Sequence, residues 1–210
     1  FLNRFRADTP GVEVTLTEAV PARLAELLLS GEVDVAVMAE PGGFDERLRA
    51  EPLYEERFVV ACPYGHRFER RNAVPMQAMD GEIYLSRINC EYRDVLAERC
   101  REAGARLCRS YRSEREDWIQ TMVAAGMGVC FLPEYSVVVP GLVLRPVVEP
   151  EVTRRVSLVT VAGRRWSPPL AGFVAAIRRY RWPSSGDGEA RPAAAGRREA
   201  APVPADPEPT

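Results

Sequence analysis

The sequence predicts an α/β fold, and three observations carry that expectation. Residues 12–38 read as strand, helix, strand; residues 83–132 repeat the alternation; and the helices of both stretches are closed by glycine. Together they imply a core sheet with helices packed on it, the first unit being a βαβ with a right-handed crossover and a parallel sheet.

Taken in order, Phe1, Leu2 and Phe5 fit the apolar face of a helix, which the turn Asp8-Thr9-Pro10-Gly11 ends. The chain therefore opens inside a unit, which marks it as a fragment or a processed product. Val12, Val14 and Leu16 alternate with polar residues as in a strand, Leu24, Leu27 and Leu28 recur at helical spacing up to Ser30-Gly31, and Val33 to Met38 is apolar enough for the next strand. After the loop Pro41-Gly42-Gly43, Leu53 to Cys62 reads as a strand ending at Pro63-Tyr64-Gly65-His66. His66 is the only histidine, and in this turn it reads as a turn residue with no evident carboxylate partner.

Ile83, Tyr84 and Leu85 form a short strand, Asn89 a candidate N-cap, and 91–103 a helix with Tyr92, Val95, Leu96 and Cys100 inward. A strand over 107–112 leads to Ser113, which with Glu116 has the spacing of a capping box. Trp118, Ile119, Met122 and Val123 then mark the inward face of a helix. Gly126 stops it, because the position after a helix often needs positive φ, and Gly128 admits the chain to a buried strand, Val129 to Leu132. Short apolar runs at 137–139, 142–144 and 147–148 precede a strand at 156–162, and Leu170, Phe173, Val174 and Ile177 give a closing helix that ends near Trp182.

With 46% hydrophobic residues, 28% charged and a net charge of −2, the 210-residue chain can bury a core but has no basic footprint for nucleic acid. Every basic side chain is Arg. No apolar run is long enough to span a bilayer. Five Cys without a CxxC pair and one His give no zinc pattern, and an odd Cys count without a secretory segment points to the cytoplasm. Neither a metal nor a cofactor is expected. Residues 183–210 are dominated by Pro, Ala, Gly and charged residues, so they are expected to form a disordered tail.

Three stretches resemble the effector-binding (regulatory) domain of LysR-type transcriptional regulators: residues 5–14, Phe-Arg-Ala-Asp-Thr-Pro-Gly-Val-Glu-Val; residues 27–37, Leu-Leu-Leu-Ser-Gly-Glu-Val-Asp-Val-Ala-Val; and residues 123–129, Val-Ala-Ala-Gly-Met-Gly-Val. The resemblance covers residues 1–182 and implies a two-lobe, type II periplasmic-binding-protein-like fold with a two-strand hinge crossing near Cys62 and Val159. Lobe I would be residues 1–62 plus 160–182, with its first strand upstream of Phe1, and lobe II residues 63–159. It further implies a small anionic effector held between the lobes, a homodimer or homotetramer, and DNA binding only through an N-terminal winged helix-turn-helix outside this chain. Neither an enzyme nor a membrane protein is implied.

The loop Glu18, Ala19, Val20 lies at the cleft in that family. Arg87 offers a charged fork, and the two helix starts, at Asn89-Cys90 and Ser113-Glu114, offer amide donors for an anion. An extracytoplasmic solute receptor is the alternative of like fold; no nucleophile, base and orienting group can be placed together for an enzyme. Around Cys90 and Cys100, followed by Glu102-Ala103-Gly104-Ala105, the chain also resembles peroxide-sensing members of the family, with Asn89 where those carry His. A thiol at a helix start beside Arg87 and Arg93 is expected to have a lowered pKa, and thiol-based peroxide sensing is the alternative mode.

Overall fold

The computed structural model describes residues 1–183 of the chain, so the tail reading for 183–210 lies outside the described residues apart from Pro183. Among these residues, five α-helices and eight strands follow the order α1 (Leu2–Asp8), α2 (Pro21–Ser30), β1 (Ala36–Met38), β2 (Leu48–Pro63), β3 (Val74–Pro75), β4 (Ile83–Arg87), α3 (Arg93–Glu102), β5 (Cys108–Ser113), α4 (Glu116–Ala124), β6 (Cys130–Pro133), β7 (Leu142–Val148), β8 (Thr153–Val161) and α5 (Pro168–Arg179).

Strand β2 organises both lobes. Its first part, Leu48 to Arg57, pairs antiparallel with β8, which pairs in turn with β1. Its second part, Phe58 to Pro63, pairs antiparallel with β6 and β7. The change of partner falls between Arg57 and Phe58, where the Phe58 amide donates to the Val152 carbonyl at 2.7 Å. The sequence places the crossings at 62/63 and 159/160; in the structure β8 is paired in the first lobe from Thr153 onward. A bulge between Pro52 and Tyr54 bends β2 within the first lobe, as expected where a proline cannot donate to the ladder.

In lobe I, alternation along β8 sends Val159 to one face, against Leu28 of α2, and Leu158 to the other, against Leu170, Val174 and Ile177 of α5. Phe1, just before α1, and Phe5 within it pack edge-on against Phe173 of α5. Lobe II holds the larger core, where Phe58, Phe68, Leu85, Ile119, Phe131 and Leu132 are fully buried. β4 and β5 pair parallel as a separate two-stranded sheet of this lobe. The hydrogen bonds Val129 N–H to Ile83 O and Leu85 N–H to Val129 O, both 2.9 Å, hang β4 beside the entry to β6.

Several expectations need correction. Residues 12–17 form no strand: Val12 and Val14 are half-buried, but the segment has no ladder partner among the described residues, and alternation without a partner gives only an extended chain. The parallel βαβ therefore does not form, and β1 runs antiparallel to β8. Helix α3 starts at Arg93 with Tyr92 as N-cap, so Asn89 caps nothing. The Ser113–Glu116 capping box is also absent, because Ser113 ends β5 and α4 begins at Glu116. Ser113 Oγ instead accepts from the Arg115 amide at 3.0 Å, in a local turn that competes with the cap. Trp118 is 54% exposed, under the Arg115 guanidinium, and Gln120 takes the buried position on α4. His66 does have a carboxylate partner: Nε2 lies 3.2 Å from Glu82 Oε2 while Nδ1 accepts from the Phe68 amide at the start of a 3-10 turn.

Candidate functional site: the interlobe cleft

A cleft of about 930 Å³ lies between the lobes beside the two hinge strands. Lobe I contributes the start of α2 with its approach (Glu18, Ala19, Val20, Pro21, Leu24), strand β1 with Ala39, and Tyr54, Arg154 and Val156 from the crossing strands. Lobe II contributes Arg87 from the end of β4, Asn89 and Glu91 before α3, residues Glu114 to Asp117 at the start of α4, and Ser136 and Val138. The arrangement follows from the topology, because ligand clefts in α/β sheets open where strands end and helices begin.

Of the residues singled out in the sequence, Glu18, Ala19, Val20, Arg87, Asn89 and Glu114 all line this cleft. Ser113 and Cys90 are not in the lining. Arg87 is only 9% exposed and is held from both sides: one guanidinium nitrogen bonds Glu116, and the other lies 3.0 Å from Cys90 Sγ. Glu116 also accepts from Gln120 Nε2 at 3.3 Å. Gln120, fully buried, donates to Ser136 O at 2.9 Å and accepts from the amides of Val138 and Val139 at 2.9 and 3.0 Å. A continuous polar chain thus runs from Cys90 through Arg87, Glu116 and Gln120 to the loop that forms the far wall. Periodicity could not expose Gln120, whose burial is made tolerable by partners distant in sequence.

At the hinge, Arg154 Nε donates to Glu56 Oε1 at 2.8 Å and its Nη1 pairs with Glu91. Glu56 is fully buried, and its second oxygen accepts from the Tyr135 amide at 3.0 Å. Sequence reading missed this triad, since its members lie 63 and 98 positions apart. Adjacent to it, Arg57 Nε pairs with Glu134 at 3.0 Å.

The Cys90 thiol does not show the lowered pKa expected of it. Burial pushes it up, outweighing the opposing effect of Arg87. Cys100 is 2% exposed with its thiol pushed up to about 11 by burial, and its Sγ lies 3.4 Å from Met76 Sδ. No disulfide joins Cys90, Cys100, Cys62, Cys108 or Cys130 in this structure. No helix among the described residues is long and apolar enough to cross a membrane.

Comparison with known proteins places this geometry. The family model described as the LysR substrate binding domain matches residues 1–182. A hydrogen peroxide-inducible genes activator of Escherichia coli O6:H1 is 33% identical over 159 residues, which are 71% of this chain and 50% of that protein. The chain spans about half the length of the curated relatives it matches. Among solved structures, the C-terminal domain of a probable LysR family transcriptional regulator from Rhodococcus sp. RHA1 superposes with a TM-score of 0.75 at 22% identity, covering 84% of this chain and 89% of that one. The Synechocystis PCC6803 CcmR regulatory domain, in complex with 2-PG, superposes with a TM-score of 0.74 at 19% identity, covering 84% and 86%. With the two-lobe fold, the two-strand hinge and a family match running through both lobes, this chain belongs to the LysR substrate binding domain family.

Proposed function

We propose that the chain is the effector-sensing part of a LysR-type transcriptional regulator and acts by binding rather than catalysis. A small organic ligand carrying an anionic group enters between the lobes and changes their angle about β2 and β8. In a cytoplasmic homodimer or homotetramer, that change would reposition winged helix-turn-helix heads on DNA. The single observation that carries the reading is the 930 Å³ cleft lined from both lobes beside the hinge. The CcmR regulatory domain, which shares the fold and is known with 2-PG bound, supports it.

A thermal-shift screen of small organic acids tests it, because a ligand that binds only the folded protein raises its apparent stability. Val138 lines the cleft and is 72% exposed, so Val138→Trp adds bulk to the cleft wall without disturbing the core and is expected to reduce the stabilisation. A ligand that stabilises the Trp variant as strongly binds elsewhere, and the cleft reading falls. Arg87→Ala is expected to weaken the ligand by about tenfold or more, the usual effect of losing a charged hydrogen bond. Unchanged affinity would remove Arg87 from the site.

Peroxide sensing is the second reading, supported by the name of the Escherichia coli relative and by the Arg87 contact with Cys90. The raised thiol pKa values count against it, since the thiolate is the reactive form. The expectation is that exposed Cys108 is alkylated first and that mild peroxide leaves no Cys90–Cys100 disulfide in peptide maps. Such a disulfide formed at low peroxide would make the thiol pair the sensor.

A further inference from the structure

The charges of the cleft narrow the class of ligand. Among the described residues, its lining holds five carboxylates (Glu18, Glu91, Glu114, Glu116, Asp117) and three guanidiniums, a formal charge of −2. Every guanidinium already has a carboxylate: Arg87 has Glu116, Arg115 has Asp117, and Arg154 has both Glu56 and Glu91. The start of α4, whose dipole would otherwise attract an anion, carries Glu116 and Asp117 in its own first turn. An incoming pure anion therefore gains a guanidinium only by displacing a carboxylate that remains in the same cavity.

Two carboxylates are left over. Glu18 of lobe I and Glu114 of lobe II both line the cleft and are exposed, and neither has an ion pair or hydrogen bond among the described residues. They stand on opposite lobes, so a cation accepted by both ties the lobes together. The same lining also holds apolar side chains, among them Ala19, Val20, Leu24, Met38 and Val156. Asn89, exposed in the lining, has an amide free to donate to an anionic group.

We propose that the ligand is a zwitterion of amino-acid type: an ammonium group received by Glu18 and Glu114, an anionic group received by the side-chain amide of Asn89, and a small apolar skeleton between. A neutral ligand of this kind enters the negative cleft without repulsion, and its ammonium supplies the charge that the cleft lacks. This inference rests on the cleft being the ligand site and goes further by fixing the ligand's cationic half.

The probes are aliphatic and aromatic α-amino acids, each run in thermal shift beside the α-hydroxy acid of the same skeleton. The expected result is that one or more amino acids raise the melting temperature by about 5 °C at a hundredfold excess over Kd, while the matched hydroxy acids do not. Glu18→Gln and Glu114→Gln, both at exposed positions and so harmless to folding, should each weaken the amino acid by about tenfold. Hydroxy acids that stabilise as well as amino acids, and are weakened by Val138→Trp, would overturn the amine requirement and leave the cleft reading intact. Amino acids that bind the two Gln variants unchanged, or fail to bind the native protein at all, overturn the proposal.

Discussion

Gly128→Ala is expected to destabilise the protein by about 3 kcal/mol or more, seen as a fall of roughly 6–12 °C in melting temperature. Gly128 has φ +155, and a Cβ there would lie 2.4 Å from the Ile83 carbonyl oxygen. That oxygen belongs to the backbone and accepts the Val129 amide, so it cannot swing aside as a flexible side chain could. Relief requires β4 and the entry to β6 to separate, which breaks the bridge between the β4–β5 pair and β6. Gly126, two residues earlier, is the control: its φ is +80 but a Cβ would meet nothing within 4 Å. Gly126→Ala should cost only about 1 kcal/mol, the price of the left-handed backbone alone. Equal losses at the two positions in urea titrations would show that the close approach at Ile83 is not what matters.

Arg154→Ala is expected to cost about 3–5 kcal/mol, because it leaves two carboxylates without their shared cation and one of them, Glu56, is fully buried. The double change Arg154→Met with Glu56→Gln should recover part of that loss, since the amide oxygen can still accept from Tyr135 and no buried charge is left at Glu56. Equilibrium unfolding of the two variants and the parent decides it. A single variant as stable as the parent would mean that water reaches Glu56 and that the triad is not structurally important.

Much of the fold was legible because its signals are local. The glycine stop at Gly126 is a case: the Gly126 amide reaches Val123 O at 2.9 Å and the Met127 amide reaches Met122 O at 3.0 Å, the closure that a positive φ permits. The closing helix α5 was equally plain, with Ser167 capping it and Leu170, Val174 and Ile177 inward. Residues 12–17 misled because alternation describes one half of a ladder, and the other half is a matter of tertiary pairing. On α4, spacing alone favoured Trp118 over Gln120 as a core residue. The deciding facts were a loop carbonyl and two loop amides that no pattern within the helix could reveal.

The site divides the same way. Arg87 and Glu114 could be pointed to because they lie at the end of β4 and just before α4, positions that a sequence pattern marks, whereas Glu18 to Val20 were indicated only by the family resemblance and Asn89 by a helix start that lies further along the chain. What they are bonded to was not legible. That Arg87 is occupied by Glu116, and that Arg154 serves two carboxylates, depends on contacts 29, 63 and 98 positions apart.

The single hydrogen bond between Phe58 and Val152 makes the exit from lobe I and the return to it neighbours in space. Everything between those two residues is topologically a cassette, spliced into one ladder at one point. A cassette of that kind can be exchanged between relatives without rethreading the host. Chimaeras joined at 57/58 and 152/153, with Glu91 and Glu134 kept as partners for Arg154 and Arg57, should therefore assort the two walls of the cleft, so that recognition on one side can be rewritten while the other, and whatever it is coupled to, is kept.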